Sequence, residues 1–542
     1  MEKIKKYLGN FGRYQAFLYA LMFLPGFLGG SNTMSFSWTG YNPKARCCVP
    51  EIDGAACNGS YGRIEQVNAS RLLVEDDECR RCMLADLKDN DTCTAEIARN
   101  CDGHTIYDES LFDLGCDLVT LHQIMWMAYT FGVSIAAVGW SIISDRWGRR
   151  KTFMLCTLLT TIVSFAGLAC STYWTYFTFQ VLLGCTNYGV YLTAYVIFME
   201  FVDGLPRTVC GIWYQGMFTV GVLWDGLWAY FLPQWRLIQL MAGGLVVLLF
   251  PYYWLLPESV RWLVLHHQKE EAKKICRFAA KVNGVVIPEE VLEEDLSIPH
   301  EEMQPEGVDV ARASILDLFK HWRLAKNTLI VFFGWFAASM TYYGLAMNTQ
   351  DIPLNAYLSY TLSALSEFPG YLVCVPMMEK LGRKATMIIL YAIGGISCIL
   401  AGALSGVVPS IVIVAFALVG KACVAAVFAV IYNYSAELFP TVVRQSGTGF
   451  ASFCARIGSM SAPQIHLLAN FVAETLPIMI YGVCSLAAGV LCLFVPETLN
   501  QELPETIEDG IWFGVPSKNR PRRQTTIVAP TDAEKLPPVT KF

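Results

Sequence analysis

Four ionisable side chains interrupt stretches that are otherwise apolar: Asp225 in GVLWDGLWAYF, Glu367 in SEFPGYLVC, Lys421 in GKACVAAVF and Arg456 in FCARIGSM. A charge at the centre of a bilayer costs at least about 2.5 to 3.5 kcal/mol, so each must face a partner or a water-filled cavity. Two acids and two bases sum to zero. Pairing inside the protein is therefore one reading, with Lys421 tied to Glu367 or Asp225, and recognition of a charged solute is the other. Arginine's planar fork suits a carboxylate, and a buried glutamate suits an ammonium.

The elements that must hold these groups are membrane helices. The chain of 542 residues is 54% hydrophobic and only 16% charged, with a mean hydropathy of +0.40, which excludes the ordinary water-soluble classes. Its net charge of -6 speaks against nucleic acid as a partner and points to the bilayer and small solutes. Twelve apolar runs lie near 14–36, 121–143, 152–171, 176–199, 210–232, 237–256, 327–347, 354–378, 385–406, 408–434, 447–471 and 475–495. Each is long enough to span. Counting 1.5 Å per residue from the start of each run puts all four ionisable groups about 14 to 21 Å deep, in one midplane layer.

Lys and Arg fix the orientation. They cluster before the first run, between runs two and three, and between runs eight and nine, whereas the opposite short loops have none. Both termini are expected to be cytoplasmic. Segment 42–117 is then extracellular, and carries eight cysteines (Cys47, Cys48, Cys57, Cys79, Cys82, Cys93, Cys101 and Cys116) and glycosylation sequons at Asn58, Asn68 and Asn90. The even count suggests four disulfides in a glycosylated cap; a zinc site at Cys79 and Cys82 is the rival, but lacks a second C-x-x-C pair. Segment 257–326 is expected as a cytoplasmic linker whose HHQKEEAKKICRFAAKV forms a basic amphipathic helix on the inner membrane face.

Three motifs occur twice at one nearly constant interval. SDRWGRRK returns as MEKLGRKA, matching Asp145 to Glu379 and Arg149 to Arg383. EFVDGLPRTVCG returns as ELFPTVVRQSGTG, matching Glu200 to Glu437 and Arg207 to Arg444. LPESVRWL returns as VPETLNQEL. A single D-R-x-G-R-R is an ordinary positive-inside cluster, but three matched pairs imply two six-helix halves, 14–256 and 327–495, with a site between them at mid-membrane. The eight charged motif residues read as cytoplasmic gates that latch one state. Residues 1–13 and 496–542 are the cytoplasmic ends.

SDRWGRRK, PESVRWL, ELFPTVVRQSGTG and VPETLNQELPETIED, with the Cys-rich first loop, resemble the organic cation, anion and zwitterion transporter family of the major facilitator superfamily. The segment from Gly420 to Ser459 is most similar to the carnitine and organic cation (zwitterion) branch and to invertebrate organic cation transporters. The resemblance implies an all-α, twelve-helix transporter, not an enzyme, moving small organic ions across the plasma membrane by alternating access. It locates solute recognition at Glu367 and Arg456, and at an aromatic pair, Tyr342 and Tyr343 in WFAASMTYYGLAM, suited to a quaternary ammonium. Tyr371 and Trp335 are possible additions, with Asn32, Tyr191 and Gln215 contributed by the amino half. Glu367 fits a cation carrier, whereas Arg456 stands where anion transporters carry arginine and classical cation transporters an aspartate. Small organic cations and carnitine-like betaines are the leading substrates; an organic anion exchanger and a non-transporting receptor glycoprotein are the alternatives. No cofactor is expected, and the choice between Na+ and H+ as coupling ion stays open, as does oligomeric state.

Overall fold

The computed structural model describes residues 2–9, 11–39, 46–47, 105–106, 119–170, 172–202, 204–232, 235–296, 316–348, 356–440, 443–473, 475–501, 504 and 506–514. Among them the fold is helical, apart from one antiparallel pair of two-residue strands, β1 (Arg46–Cys47) and β2 (Thr105–Ile106). Asn58, Asn68, Asn90 and the cap cysteines other than Cys47 lie outside the described residues.

In the amino half, α1 (Glu2–Leu8), α2 (Arg13–Met34) and α3 (Phe36–Thr39) are followed by α4 (Val119–Trp147), α5 (Arg149–Gly167), α6 (Tyr173–Met199) and α7 (Gly204–Phe231). The sixth run is not one helix. It forms α8 (Trp235–Gly243), a 3-10 turn (Gly244–Leu249) and α9 (Tyr252–Leu255), breaking at the adjacent glycines Gly243 and Gly244. The linker gives α10 (Val260–Leu265), α11 (Lys269–Asn283), α12 (Glu289–Leu296) and α13 (Asp317–Lys320). The carboxyl half comprises α14 (Trp322–Asn348), α15 (Ala356–Leu365), α16 (Glu367–Leu381), α17 (Arg383–Ala403), α18 (Ser410–Leu438), α19 (Arg444–His466), α20 (Leu468–Phe471) and α21 (Leu476–Cys492), and α22 (Ile507–Ile511) follows. Among the described residues, six segments are long and apolar enough to cross a membrane: 124–147, 173–199, 236–255, 322–347, 383–403 and 410–438.

The halves repeat their packing. α2 lies on α7 as α14 lies on α19, α4 on α6 as α16 on α18, and α5 on α6 as α17 on α18. In the first of these pairings glycine sets the distance: a Cβ on Gly30 would stand 1.9 Å from the Phe218 carbonyl oxygen, and one on Gly221 would stand 1.9 Å from that of Phe27. Small residues let two membrane helices touch backbone to backbone, where dispersion rather than water drives association. The contact brings Ser31 of α2 against α7.

The amphipathic linker helix α11 spends its apolar face on protein rather than on lipid. Ala272, Cys276, Ala279 and Ala280 are buried where α11 meets α1, α2, α10 and α12. Asn283 ties it to the first helices, accepting from the Tyr14 amide at 2.7 Å and donating to the Leu8 carbonyl at 3.1 Å.

The glycine contact is directly testable. Gly221→Val should destabilise the purified protein by about 3 kcal/mol, read as a lower melting temperature on size exclusion, because backbone must separate to admit the side chain. Gly449→Ala, where an added Cβ meets nothing within 4 Å, should leave stability unchanged or raise it by about 0.5–1 kcal/mol. Equal effects would mean that close approach of α2 and α7 is unimportant.

Candidate functional site

The eighth run breaks at Ser366 into α15 and α16, and the break positions the first acid. Pro369 has no N–H to donate into the preceding turn, so a new helix begins here with Glu367 in its first turn, where free amides and the helix dipole favour a carboxylate. Glu367 is 1% exposed. Its Oε1 accepts from the Tyr342 hydroxyl at 2.9 Å and lies 3.5 Å from Lys421 Nζ. Its Oε2 accepts from the Thr219 hydroxyl at 2.7 Å and the Tyr371 hydroxyl at 3.2 Å. Thr219 belongs to α7, so this hydrogen bond joins the two halves.

Lys421, on α18, is fully engaged. Its ammonium donates to the Tyr342 carbonyl at 3.1 Å and sits 3.4 Å from the centre of the Tyr342 ring. The face that the sequence offers to a solute ammonium is therefore occupied by the protein's own lysine. Tyr343 stands edge-on to Tyr342 at 5.2 Å and meets Trp126 of α4 at 5.9 Å. Trp335 is wholly buried, donates to the Ser435 hydroxyl at 2.8 Å and packs 4.3 Å from Tyr432, which makes it a support for the site's wall.

Arg456 has no such partner. Its guanidinium lies 4.9 Å over the ring of Tyr188, on α6 of the other half, and is surrounded by the phenols of Tyr188, Tyr343 and Tyr432. No carboxylate among the described residues pairs with it, and its buried Nε has no hydrogen-bond partner. A guanidinium with an unpartnered Nε and phenols rather than carboxylates around it is suited to receive an anion or carboxylate.

Asp225 departs from the sequence reading in partner and in depth. It does not pair with Lys421; its Oδ1 accepts from the Ser31 hydroxyl at 2.6 Å. Thr219 is level with Glu367, and Asp225 lies six residues further along α7, about 9 Å beyond that layer at 1.5 Å per residue. Of the weaker candidates, the Tyr191 hydroxyl donates to Gln215 at 3.2 Å. Asn32 Nδ2 donates to the carbonyls of Leu28 and Ala242 and to Asn187, at 3.0, 3.3 and 3.4 Å, inside the amino half.

The repeated motifs form two matched networks at the end of the bundle that bears α1 and α22. Arg149 pairs with Asp145 at 2.7 Å and Glu200 at 3.6 Å; Arg383 pairs with Glu437 at 3.2 Å and Glu379 at 3.8 Å. Burial pushes the Glu200 carboxyl above its usual range, while the Ser259 hydroxyl and the charges of Arg149 and Arg261 pull it back. Each network stays within its own half. Arg207 and Arg444 join neither network. Arg444 donates to the Phe439 carbonyl at 3.1 Å, and Arg207 acts on it as a like charge from the other half.

Charge matching missed two residues, Glu258 and Glu497. Glu258 accepts from the Arg149 amide at 2.8 Å and the Arg150 amide at 3.2 Å, and Glu497 from those of Arg383 and Lys384 at 2.9 and 3.0 Å. Both cap the freed amides of a following helix, beside Gly148 (φ 100°) and Gly382 (φ 91°). The repeat of PES as PET carried the signal.

Removing one partner of the buried pair should cost more than removing both. Glu367→Gln leaves Lys421 uncompensated and should destabilise the protein by about 3–5 kcal/mol, whereas Glu367→Gln with Lys421→Met should recover most of that loss. Additive losses in a thermal double-mutant cycle would show that the two do not form a pair.

The family described as sugar (and other) transporter matches residues 76–509. The chain is 32% identical to the organic cation transporter protein of Drosophila melanogaster over 95% of each sequence. It is 30% identical to solute carrier family 22 member 13 of Homo sapiens, covering 93% of this chain and 91% of that one. Among solved structures it resembles the partially occluded, inward-open xylose transporter XylE from E. coli, with a TM-score of 0.60 at 16% identity, covering 90% of this chain and 100% of that one. The matches are to transporters rather than enzymes. With the matched halves and the paired motif networks, they place this chain in the sugar (and other) transporter family of the major facilitator superfamily, as a multi-pass membrane transporter of the solute carrier 22 organic cation and anion type.

Proposed function

We propose that this protein carries small organic ions bearing a carboxylate, betaine-like zwitterions first, across the plasma membrane through a twelve-helix bundle with cytoplasmic termini. The carrying observation is Arg456, a buried guanidinium with an unpartnered Nε and no ion pair among the described residues, facing tyrosines from both halves. Glu367 is already balanced by Lys421. A substrate that brings its own carboxylate supplies the one missing counter-charge, and its ammonium meets the phenol rings of Tyr188, Tyr343 and Tyr432.

Alternating access is supported by where the halves touch. Trp38 stacks on Tyr357 at 4.8 Å, Tyr230 meets Tyr357 at 5.5 Å, and Gln464 donates to the Met127 sulfur at 2.9 Å. These contacts lie toward the end away from the termini. At the other end the ion pairs are internal to each half and Arg207 faces Arg444, so like charges favour separation there. The arrangement fits a conformation closed on the outside. The same charge balance favours a second reading, exchange of organic anions, in which Arg456 acts alone and the Glu367–Lys421 pair is structural.

Uptake of labelled glycine betaine, tetraethylammonium and a dicarboxylate, in wild type and Arg456→Lys, separates the readings. Wild type should take up the betaine in preference to the simple cation. Arg456→Lys should lose at least about tenfold of that uptake, since a point charge does not replace a bidentate fork. Uptake of tetraethylammonium alone, or betaine uptake untouched by the substitution, would overturn the proposal; trans-stimulation by the dicarboxylate would select the anion exchanger.

A further inference from the structure

Asp225 is 1% exposed and belongs to neither the central layer nor the motif networks. One hydroxyl, that of Ser31 on α2, donates to its Oδ1 at 2.6 Å, and its Oδ2 is buried with no hydrogen-bond partner. The site lies where the halves close. Tyr360 of α15 covers the neighbouring Gly226, where a Cβ would stand 2.9 Å from the ring, and Tyr360 in turn packs 5.0 Å from Trp38.

Among the described residues, no cation pairs with Asp225. From α2 it meets Ser31; from α15 it meets the Tyr360 phenol, which also feels Glu367 of α16. Lys421 of α18 is held by Glu367, and Arg236, at the start of α8, acts on Cys170. An ionised carboxylate sealed here would be a bare charge with one donor, whereas a carboxylic acid leaves only a neutral O–H unpaired, a far smaller cost.

We propose that closing the α7–α15 interface loads a proton onto Asp225, so that the closed and open conformations differ by one bound proton. With the interface open, water solvates the carboxylate and it ionises. Closure strips that water, and Oδ2 takes one proton while Oδ1 keeps the Ser31 hydrogen bond. The proton is thus gained and released with the change of conformation. The proposal rests on the transport reading above, so its first test is independent of any substrate.

In the purified full-length protein at neutral pH, the infrared C=O stretch of a protonated carboxyl should be present in wild type and missing from Asp225→Asn. In Ser31→Ala, which keeps the acid and removes its donor, the band should shift in frequency. Identical spectra for wild type and Asp225→Asn would overturn the proposal. In liposomes with the membrane potential clamped, glycine betaine uptake should fall as pH is lowered equally on both sides, because opening the interface must release the Asp225 proton. That fall should disappear in Asp225→Asn, and its survival would overturn the proposal. If wild type moves no organic ion, the transport reading fails while the infrared comparison still decides the state of Asp225.

Discussion

The central layer depends on the buried pair of Glu367 and Lys421. The carboxylate gathers Tyr342, Tyr371 and, from the opposite half, Thr219, and the ammonium fills the Tyr342 ring face. A pair this deep is repaid only when its remaining donors and acceptors are satisfied, and here they are. It costs the site its most obvious cation receptor. What remains for a solute is the guanidinium of Arg456, which no carboxylate among the described residues balances, so the pair determines by subtraction which charge the site can read.

The helix breaks explain how such groups are placed at all. Unwound or restarted helices in a bilayer expose amides and carbonyls that only a lined cavity or a polar partner can satisfy. Ser366 and Pro369 restart a helix and put Glu367 at its positive end. Gly148 and Gly382 turn the chain so that Glu258 and Glu497 cap α5 and α17. The same device serves the ligand layer once and the repeated motifs twice.

Much of this was legible from sequence. The helical class, the two matched halves and the four buried charges followed from hydropathy, from motif spacing and from the rarity of ions in apolar runs. The partner choices did not follow. Asp225 was grouped with the midplane because depth was counted from run ends, which are uncertain by a turn, and Ser31 carries no signal beyond being a serine near glycines. Lys421 was seen, but not that its ammonium would take the Tyr342 ring. The matched arginines were legible as equivalent positions but not in their partners, because offsets reveal equivalence, not contact. The distance between Arg149 and Glu437 is a tertiary fact. Glu258 and Glu497 escaped because carboxylates that bind backbone amides leave no charged partner to match.

The central claim is that Arg456 makes the substrate's carboxylate the recognised group. It is tested most directly by comparing wild-type uptake of glycine betaine with that of its methyl ester, which keeps the quaternary ammonium and loses the anionic oxygen. The account predicts strong preference for the betaine. Equal uptake of the two, or preference for the ester, would contradict it.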